Sequence, residues 1–373
     1  MQIKQLIIML TKFAVTNYRG FKDRIELDLS NPNGYEFNNF AIKDGLVKDL
    51  MIYGPNGSGK SNLGYAIFDI VNHLTQKNKQ ANAYANFSYA WNSQPVIFEY
   101  GFMFDGARID YQYSKNDQGN LITETIKANN KLLFDRKEGH ICINEELFPL
   151  QQSVKNDLLA QANNVSLISY LRNVFPMSKE DPINRIFDFV DNMLWFRCLQ
   201  DRGYIGFEIG STRLEEYIID NGLVKDFADF VNAVSKQNLV FDNPNPGEKM
   251  IYCIIDGNRI PLSSIESTGT DSLKLLYYWL SKLSSASFVF IDEFDAFYHY
   301  ELAFEVCKRL FTQNCQVILT THNTYLMTND LLRPDCYYLI DGKQVKPINK
   351  CTLKDLRQGH NLEKLYRGNG FTI

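Results

Sequence analysis

No stretch of this chain approaches the about 18 apolar residues of a membrane-spanning helix, which excludes an integral α-helical membrane protein. The run Leu6-Ile7-Ile8-Met9-Leu10 is too short for a secretory core and lacks a small-residue cleavage site; it fits upstream translation, with Met9 as a second candidate start beside Met1. The seven cysteines, Cys142, Cys198, Cys253, Cys307, Cys315, Cys336 and Cys351, include no C-x-x-C pair, and the five histidines show no zinc spacing. A zinc module or a dithiol redox centre is excluded, and reduced, buried thiols in a cytoplasmic protein are expected. Basic residues are not in excess: 39 Lys and Arg stand against 43 Asp and Glu, a net charge of −4. A nucleic-acid contact would therefore need a local patch rather than a global field. No heptad persists over several turns, which excludes a long coiled coil. No internal repeat and no low-complexity tail are present.

What remains is ordinary globular composition, 45% hydrophobic and 22% charged over 373 residues. That length serves one large domain with an insertion, or two domains. Aromatic residues reach 13%, mostly Phe and Tyr spread along the expected strands and helices, and are expected in the core.

The most specific stretch is Gly54-Pro55-Asn56-Gly57-Ser58-Gly59-Lys60-Ser61, which fits G-x-x-x-x-G-K-[ST]. Leu50-Met51-Ile52-Tyr53 before it is a short apolar run that predicts a buried strand. After it, Leu63, Ala66, Ile67, Ile70, Val71 and Leu74 recur at helical spacing. Glycines let successive N–H groups point into one concavity, and the helix N-terminus aims its partial positive charge at the same place. Asn56, Gly57, Ser58 and Gly59 would line that concavity. Lys60 can place its charge between β- and γ-phosphates, and the Ser61 hydroxyl can ligate Mg²⁺.

Upstream, Phe13, Val15 and Asn17 alternate, as do Ile25, Leu27 and Leu29, predicting two paired strands around the turn Asn17-Tyr18-Arg19-Gly20-Phe21-Lys22. Arg19 in that turn is a candidate nucleotide contact or a plain surface arginine. Residues 31–46 are expected to be a loop, and 76–94 an exposed, mobile connection. From Pro95 to Ile143 the period is two, with Asp105-Gly106 as a hairpin signal, predicting an antiparallel sheet. From about 150 to 235 the period is helical: Val154 and Leu158; Leu167, Tyr170, Leu171 and Val174; Ile186, Val190 and Met193; Leu223, Phe227, Phe230 and Val231. The stretch from Asp242 to Gly247 is a break, after which strands near 250–255 and 259–262 are expected.

Phe288-Val289-Phe290-Ile291 predicts a strand that ends on Asp292-Glu293. Asp292 can support Mg²⁺, and Glu293 can polarise an attacking water. A second apolar strand, Val317 to Thr321, precedes His322, which can hydrogen-bond a γ-phosphate and report its loss. Ser267 or Thr268 can cap the helix that carries Leu273, Leu276, Leu280 and Leu283. One loop fills one side of a nucleotide, so a phosphate at that second N-terminus would belong to another chain.

In this order the motifs resemble those of ABC-type ATPases of the SMC, RecF and OLD-like branch. The resemblance is carried by Asn17–Phe21, Gly54–Ser61, Ser267-Thr268-Gly269-Thr270, Phe290-Ile291-Asp292-Glu293 and Thr321-His322-Asn323. The C-terminal run Arg357–Arg367 is similar to that of small AAA-family ATPases of bacterial anti-phage systems. The resemblance implies an α/β fold, an ABC-type P-loop ATPase head of mixed sheet, flanking helices and antiparallel β subdomain, with a helical insertion. It implies a division into 1–94 (head, phosphate loop), 95–149 (β subdomain), 150–245 (helical insertion) and 246–373 (head, signature and second motif). Its cofactors would be ATP and Mg²⁺, held by Arg19, the phosphate loop, Ser61 and Asp292. Glu293 and His322 would be catalytic, and Ser267 and Gly269 would contact the γ-phosphate across a homodimer or higher even oligomer. Asp295 to His299 would join the two sites. Thr268, where transporter signatures have glycine, and Phe294, where they have proline, argue against a transporter subunit. The implied role is a regulatory ATPase of an anti-phage module that controls a separate effector, a nuclease or toxin. The alternatives are a DNA-maintenance ATPase that clamps duplex DNA, or an ATP-holding scaffold with little turnover.

Overall fold

The computed structural model describes residues 8–75, 86–137, 140–146, 156, 166–174, 177–178, 181–197, 204–206 and 214–373. Two seven-stranded sheets enclose the helices that follow the glycine-rich loop. The first is antiparallel. It runs from the edge strand His140–Ile143 through Lys131–Lys137, Leu121–Ala128, Ala107–Lys115 and Val96–Phe104 to Met9–Thr16 and Ile25–Asp28. The period-two stretches form these strands because alternate side chains, among them Phe98, Tyr100, Phe102, Ile109, Tyr111 and Tyr113, are buried.

The second sheet is mixed. Its order is Tyr204–Gly206, Met193–Arg197, Phe288–Asp292, Gln316–Thr321, Asp49–Tyr53, Tyr337–Ile340 and Val345–Pro347. Its five middle strands pair in parallel, and the outer two pair antiparallel. Asp49–Tyr53, Phe288–Asp292 and Gln316–Thr321 are buried along their whole length, as strands covered on both faces must be.

The segment after the loop, helices Lys60–Ile67 and Asp69–Leu74, lies between the sheets. Toward the parallel sheet, Gly64 lets the helix approach so closely that a Cβ there would sit 2.8 Å from the Phe290 ring. Toward the antiparallel sheet the contacts are polar. The Tyr100 hydroxyl donates to the carbonyls of Ala66 and Ile67, at 3.1 and 3.2 Å, where the two helices meet. Asp69 accepts from Tyr113 Oη and Lys115 Nζ, both at 2.7 Å. Further along, Glu124 is fully buried and accepts from Tyr111 Oη, Ser166 Oγ and the Leu167 N–H at 2.7 Å, and from Arg136 at 3.1 Å. Its charge lies at the N-terminus of helix Leu167–Val174 and ties that helix to the sheet. Buried Gln316 joins the sheets: its amide bonds both backbone groups of Leu10 at 3.0 Å and the Val47 carbonyl at 2.9 Å.

Four expectations change. Met193, taken into a helical pattern, begins a strand of the parallel sheet. Helix Pro182–Asp191 ends before Asn192, and the short apolar run behind it is β-favouring and buried, so pairing with Phe288–Asp292 wins. Residues 76–85 of the expected mobile connection, like Val154, Leu158 and Cys198, lie outside the described residues. Its described end is mostly exposed, Trp91 included, but Phe87 and Ser88 are buried, and the Phe87 carbonyl accepts the Arg19 N–H at 2.7 Å. Within 31–46, a 3₁₀ turn Asn39–Ala41 and a two-strand ladder, Ile42–Lys43 with Leu46–Val47, interrupt the loop. Finally, Cys142 is exposed because it lies on an edge strand, whereas Cys253, Cys307, Cys315, Cys336 and Cys351 are buried free thiols. The aromatic residues are largely core, with Trp195, Trp279, Tyr53 and Phe13 almost fully buried. Among the described residues, no helix is long and apolar enough to cross a membrane.

Candidate functional site

Strand Asp49–Tyr53 runs into the loop Gly54–Gly59, and the loop into helix Lys60–Ile67. Gly54 has no room for a side chain, since a Cβ would lie 2.5 Å from the Ile340 carbonyl oxygen and from Ser58 Oγ. Gly57 and Gly59 hold φ of 76° and 98°, the left-handed region that glycine enters without steric cost. Asn56 and Gly57 form the exposed crest, while Ser58 and Lys60 are buried. Lys60 Nζ donates to the carbonyls of Gly54 at 2.8 Å and Pro55 at 3.2 Å, so the ammonium is folded into the loop. Burial holds its pKa below the ordinary value, against the pull of the Glu293 and Asp292 carboxylates.

Two strands from the same sheet bring the remaining groups. Phe288–Asp292 and Gln316–Thr321 are parallel neighbours, and the latter pairs with the loop strand. Buried Asp292 and half-buried Glu293 thus leave the sheet beside the loop. Glu293 has a left-handed φ of 50°. His322, one residue past its strand, places Nε2 3.8 Å from Glu293 Oε1. Burial and then the Lys60 charge push the imidazole below its usual pKa, with Glu293, Asp295 and Asp292 opposing. Thr321 Oγ1 donates to Asp295 Oδ1 at 2.7 Å, which links the histidine strand to the turn after the acidic pair. Lys60, Asp292, Glu293 and His322 therefore share one electrostatic neighbourhood, as their order in sequence suggested.

The N-terminal turn lies against the same loop. The Phe21 ring fills the space beside Gly59, and the Arg19 guanidinium stacks 4.1 Å from the centroid of Tyr65 on the loop helix. Arg19 itself has a left-handed φ of 46° and is half-buried.

Ser267 and Gly269 stand elsewhere in the fold. Ser267 caps helix Thr268–Lys282, its Oγ accepting the Thr270 N–H at 3.1 Å, and it is exposed. That helix packs on Leu214–Asp220 and Val224–Ser235, whereas the loop helix packs on Phe288–Asp292. The link between the two regions is the 295–299 turn: a Cβ on Gly269 would be 3.2 Å from the Phe297 carbonyl oxygen.

The donor set fits a Mg²⁺-bound phosphate. Ser58 Oγ is buried with no hydrogen-bond partner, an orphan of the kind an anion's oxygen satisfies. Among the described residues no cluster of three or more His, Cys, Asp and Glu side chains is placed to hold a metal ion. Mg²⁺ needs none, since one or two carboxylates with waters and substrate phosphates are its usual set, of which Asp292, with the Ser61 hydroxyl, would supply the protein part.

Sequence reasoning missed Thr320, which bonds both members of the acidic pair, and Tyr65, the platform under Arg19. Both contacts are between distant parts of the chain, and only the position of Thr320 next to the noted Thr321-His322 hinted at it.

A model of the family described as AAA domain, putative AbiEii toxin, Type IV TA system matches residues 50–328, from the loop strand to beyond the histidine. The chain belongs to this AAA-domain family. It is an ATP-binding ATPase of that lineage, in agreement with the resemblance drawn from its motifs. No curated protein matches it. Among solved structures it is similar to an SMC head domain from Thermotoga maritima, with 16% identity over 91% of this chain and 98% of that one, TM-score 0.44. An Smc head bound to the C-winged helix domain of ScpA gives 15% over 91% and 97%, TM-score 0.46. An Smc head with an extended coiled coil, bound to the C-terminal domain of ScpA derived from Pyrococcus furiosus, gives 14% over 92% and 98%, TM-score 0.42.

Proposed function

We propose that this AAA-family protein hydrolyses ATP at the loop site and uses the nucleotide state to open and close a dimer. The observation that carries the reading is the convergence of Lys60, Asp292, Glu293 and His322 at the ends of adjacent parallel strands. The backbone N–H groups from Asn56 to Gly59 cradle the phosphates, and Lys60 exchanges its loop carbonyls for phosphate oxygens. Ser61 and Asp292 would hold Mg²⁺, which when bound neutralises charge on the β- and γ-phosphates. Glu293 orients and polarises the attacking water, and neutral His322 hydrogen-bonds the γ-phosphate. Arg19, stacked on Tyr65, is placed to contact the nucleotide from the N-terminal turn.

Ser267 and Gly269 serve the nucleotide of a second copy. Support comes from the exposed helix N-terminus at Ser267, which packs with different helices from those of the loop. Loss of the γ-phosphate removes these contacts and lets the halves part. The turn from Asp295 to His299 carries the change between sites, touching Thr321 on one side and Gly269 on the other. We assign the middle region, about 95–260, as the part that moves with the halves and reports the state outward. The family's description names a toxin of a toxin–antitoxin system, which supports a defence role, and in that role we place a cytoplasmic ATPase that restrains or releases a separate effector.

Steady-state ATP turnover of the purified protein, with and without duplex DNA, tests the reading. Turnover is expected in the absence of DNA, abolished in Lys60→Ala and in Glu293→Gln. Unchanged turnover in Glu293→Gln, or strong DNA stimulation that salt removes steeply, would overturn it, the latter in favour of a DNA clamp.

A further inference from the structure

Thr320 touches both acidic residues with a single hydroxyl. It is fully buried, one residue before the end of strand Gln316–Thr321. Its Oγ1 donates to Asp292 Oδ1 at 2.7 Å and accepts the Glu293 N–H at 2.8 Å. These partners fix the direction of both bonds. An amide N–H only donates, an ionised carboxylate only accepts, and a hydroxyl has one proton to give.

Sheet register explains why the hydroxyl is needed there. The last paired residues of the two strands are Ile291 and Leu319. The neighbouring strand continues to Thr321, while the chain after Asp292 turns out of the sheet with Glu293 at φ 50°. Such a conformation strains a residue that carries a Cβ and needs support. Thr320 supplies it twice, its side chain taking the Glu293 N–H and its carbonyl taking the Phe294 N–H at 3.2 Å. The same hydroxyl occupies one oxygen of Asp292 and leaves the other for ligation.

We propose that Thr320 is a positioning residue for ATP hydrolysis, which holds the Asp292 carboxylate and the Glu293 backbone as one unit beside the phosphate loop. The proposal rests on the assignment of Glu293 as the water-activating carboxylate. Thr320 is fully buried and acts through its two partners.

The test uses the full chain. Thr320→Val keeps the β-branched shape without the hydroxyl, Thr320→Ala removes it with less bulk, and Thr320→Ser keeps it. Misplaced catalytic groups cost rate rather than ground-state binding, so Thr320→Val should lower kcat by about tenfold or more while KM and ATP affinity stay within about threefold. Thr320→Ser should stay within about threefold of the wild type in all three. The Glu293 amide should exchange faster with solvent in Thr320→Val without nucleotide, a readout independent of turnover. Wild-type kcat in a hydroxyl-free variant that folds would overturn the proposal. So would failure of both Val and Ala variants to fold while Ser folds, which would make the hydroxyl structural. A silent Thr320→Val beside an inactive Glu293→Gln brings down this proposal alone, whereas an active Glu293→Gln brings down the assignment beneath it as well.

Discussion

The ring of Phe21 occupies the space that any side chain on Gly59 would need, since a Cβ there would lie 2.5 Å from Phe21 Cε1. Gly59 also holds φ at 98°. Gly59→Ala therefore combines a backbone strain of about 1–3 kcal/mol with a ring that must move. A lower unfolding midpoint and at least about tenfold weaker ATP binding are expected, because a displaced turn carries Arg19 with it and the loop loses its curvature. Adding Phe21→Ala should recover only the share of affinity lost through the displaced turn, since the strained φ remains. Titration of a fluorescent ATP analogue measures this, and wild-type affinity in Gly59→Ala would refute it.

A second expectation concerns pH. The His322 imidazole is held below its ordinary 6.5, first by burial and then by the Lys60 ammonium. The unfolded chain takes up this proton near 6.5, the folded chain only at lower pH. The histidine's contribution to stability is thus present above 6.5 and is lost as pH falls through its folded value. Turnover should show an acid limb below pH 6.5 that His322→Gln removes. A pH–rate profile over roughly pH 5 to 8 decides this, and an acid limb unchanged in His322→Gln would contradict it.

The antiparallel sheet depends on one carboxylate. Glu124 accepts from Tyr111, Arg136, Ser166 and the Leu167 amide while fully buried. Glu124→Ala strips a buried cation of its anion and a helix of its N-terminal charge, at a cost of about 3–5 kcal/mol. Denaturant unfolding should show this loss, and a change under about 1 kcal/mol would show that the network contributes little.

One amide clamps the start of the C-terminal run. Asn329 Nδ2 donates to the carbonyls of Arg357, Gln358 and His360 at 3.2, 2.9 and 3.1 Å. Beyond it, helix Leu362–Arg367 packs on the turn after His322: Arg367 bonds Glu363 at 3.0 Å and stacks on Tyr325, and Tyr366 meets Tyr53 at the end of the loop strand. Asn329→Ala should free this run, with a loss of about 1–3 kcal/mol locally and faster proteolysis after Arg357 or Lys364. Unchanged cleavage would show that the helix is held by its aromatic contacts instead.

These contacts mark the limit of what the sequence discloses. The loop, its strand and its helix were legible because glycine spacing and a switch of period encode them locally. The acidic pair and His322 were legible because each ends an apolar run. The hairpins followed from alternation together with the Asp105-Gly106 turn signal. Met193–Arg197 was not legible as a strand, since Met193 satisfies a helical period and a short apolar run equally well. Thr320, Phe87 under the N-terminal turn, and the Asn329 clamp join residues far apart in the chain, and no local period records such a pairing. Their side chains are ordinary buried Thr, Phe and Asn until the sheet order is known.

The central claim is that two copies of this chain close on ATP, with Ser267 and Gly269 of one facing the phosphate loop of the other. Sedimentation velocity of the Glu293→Gln protein with saturating Mg-ATP tests it most directly. The account predicts a dimer that appears with ATP, is absent with ADP, and is lost in Ser267→Arg, whose bulk and charge would block the seam without disturbing the loop that binds nucleotide in its own chain. A protein that stays monomeric in ATP, or a dimer indifferent to both ATP and Ser267→Arg, would contradict it.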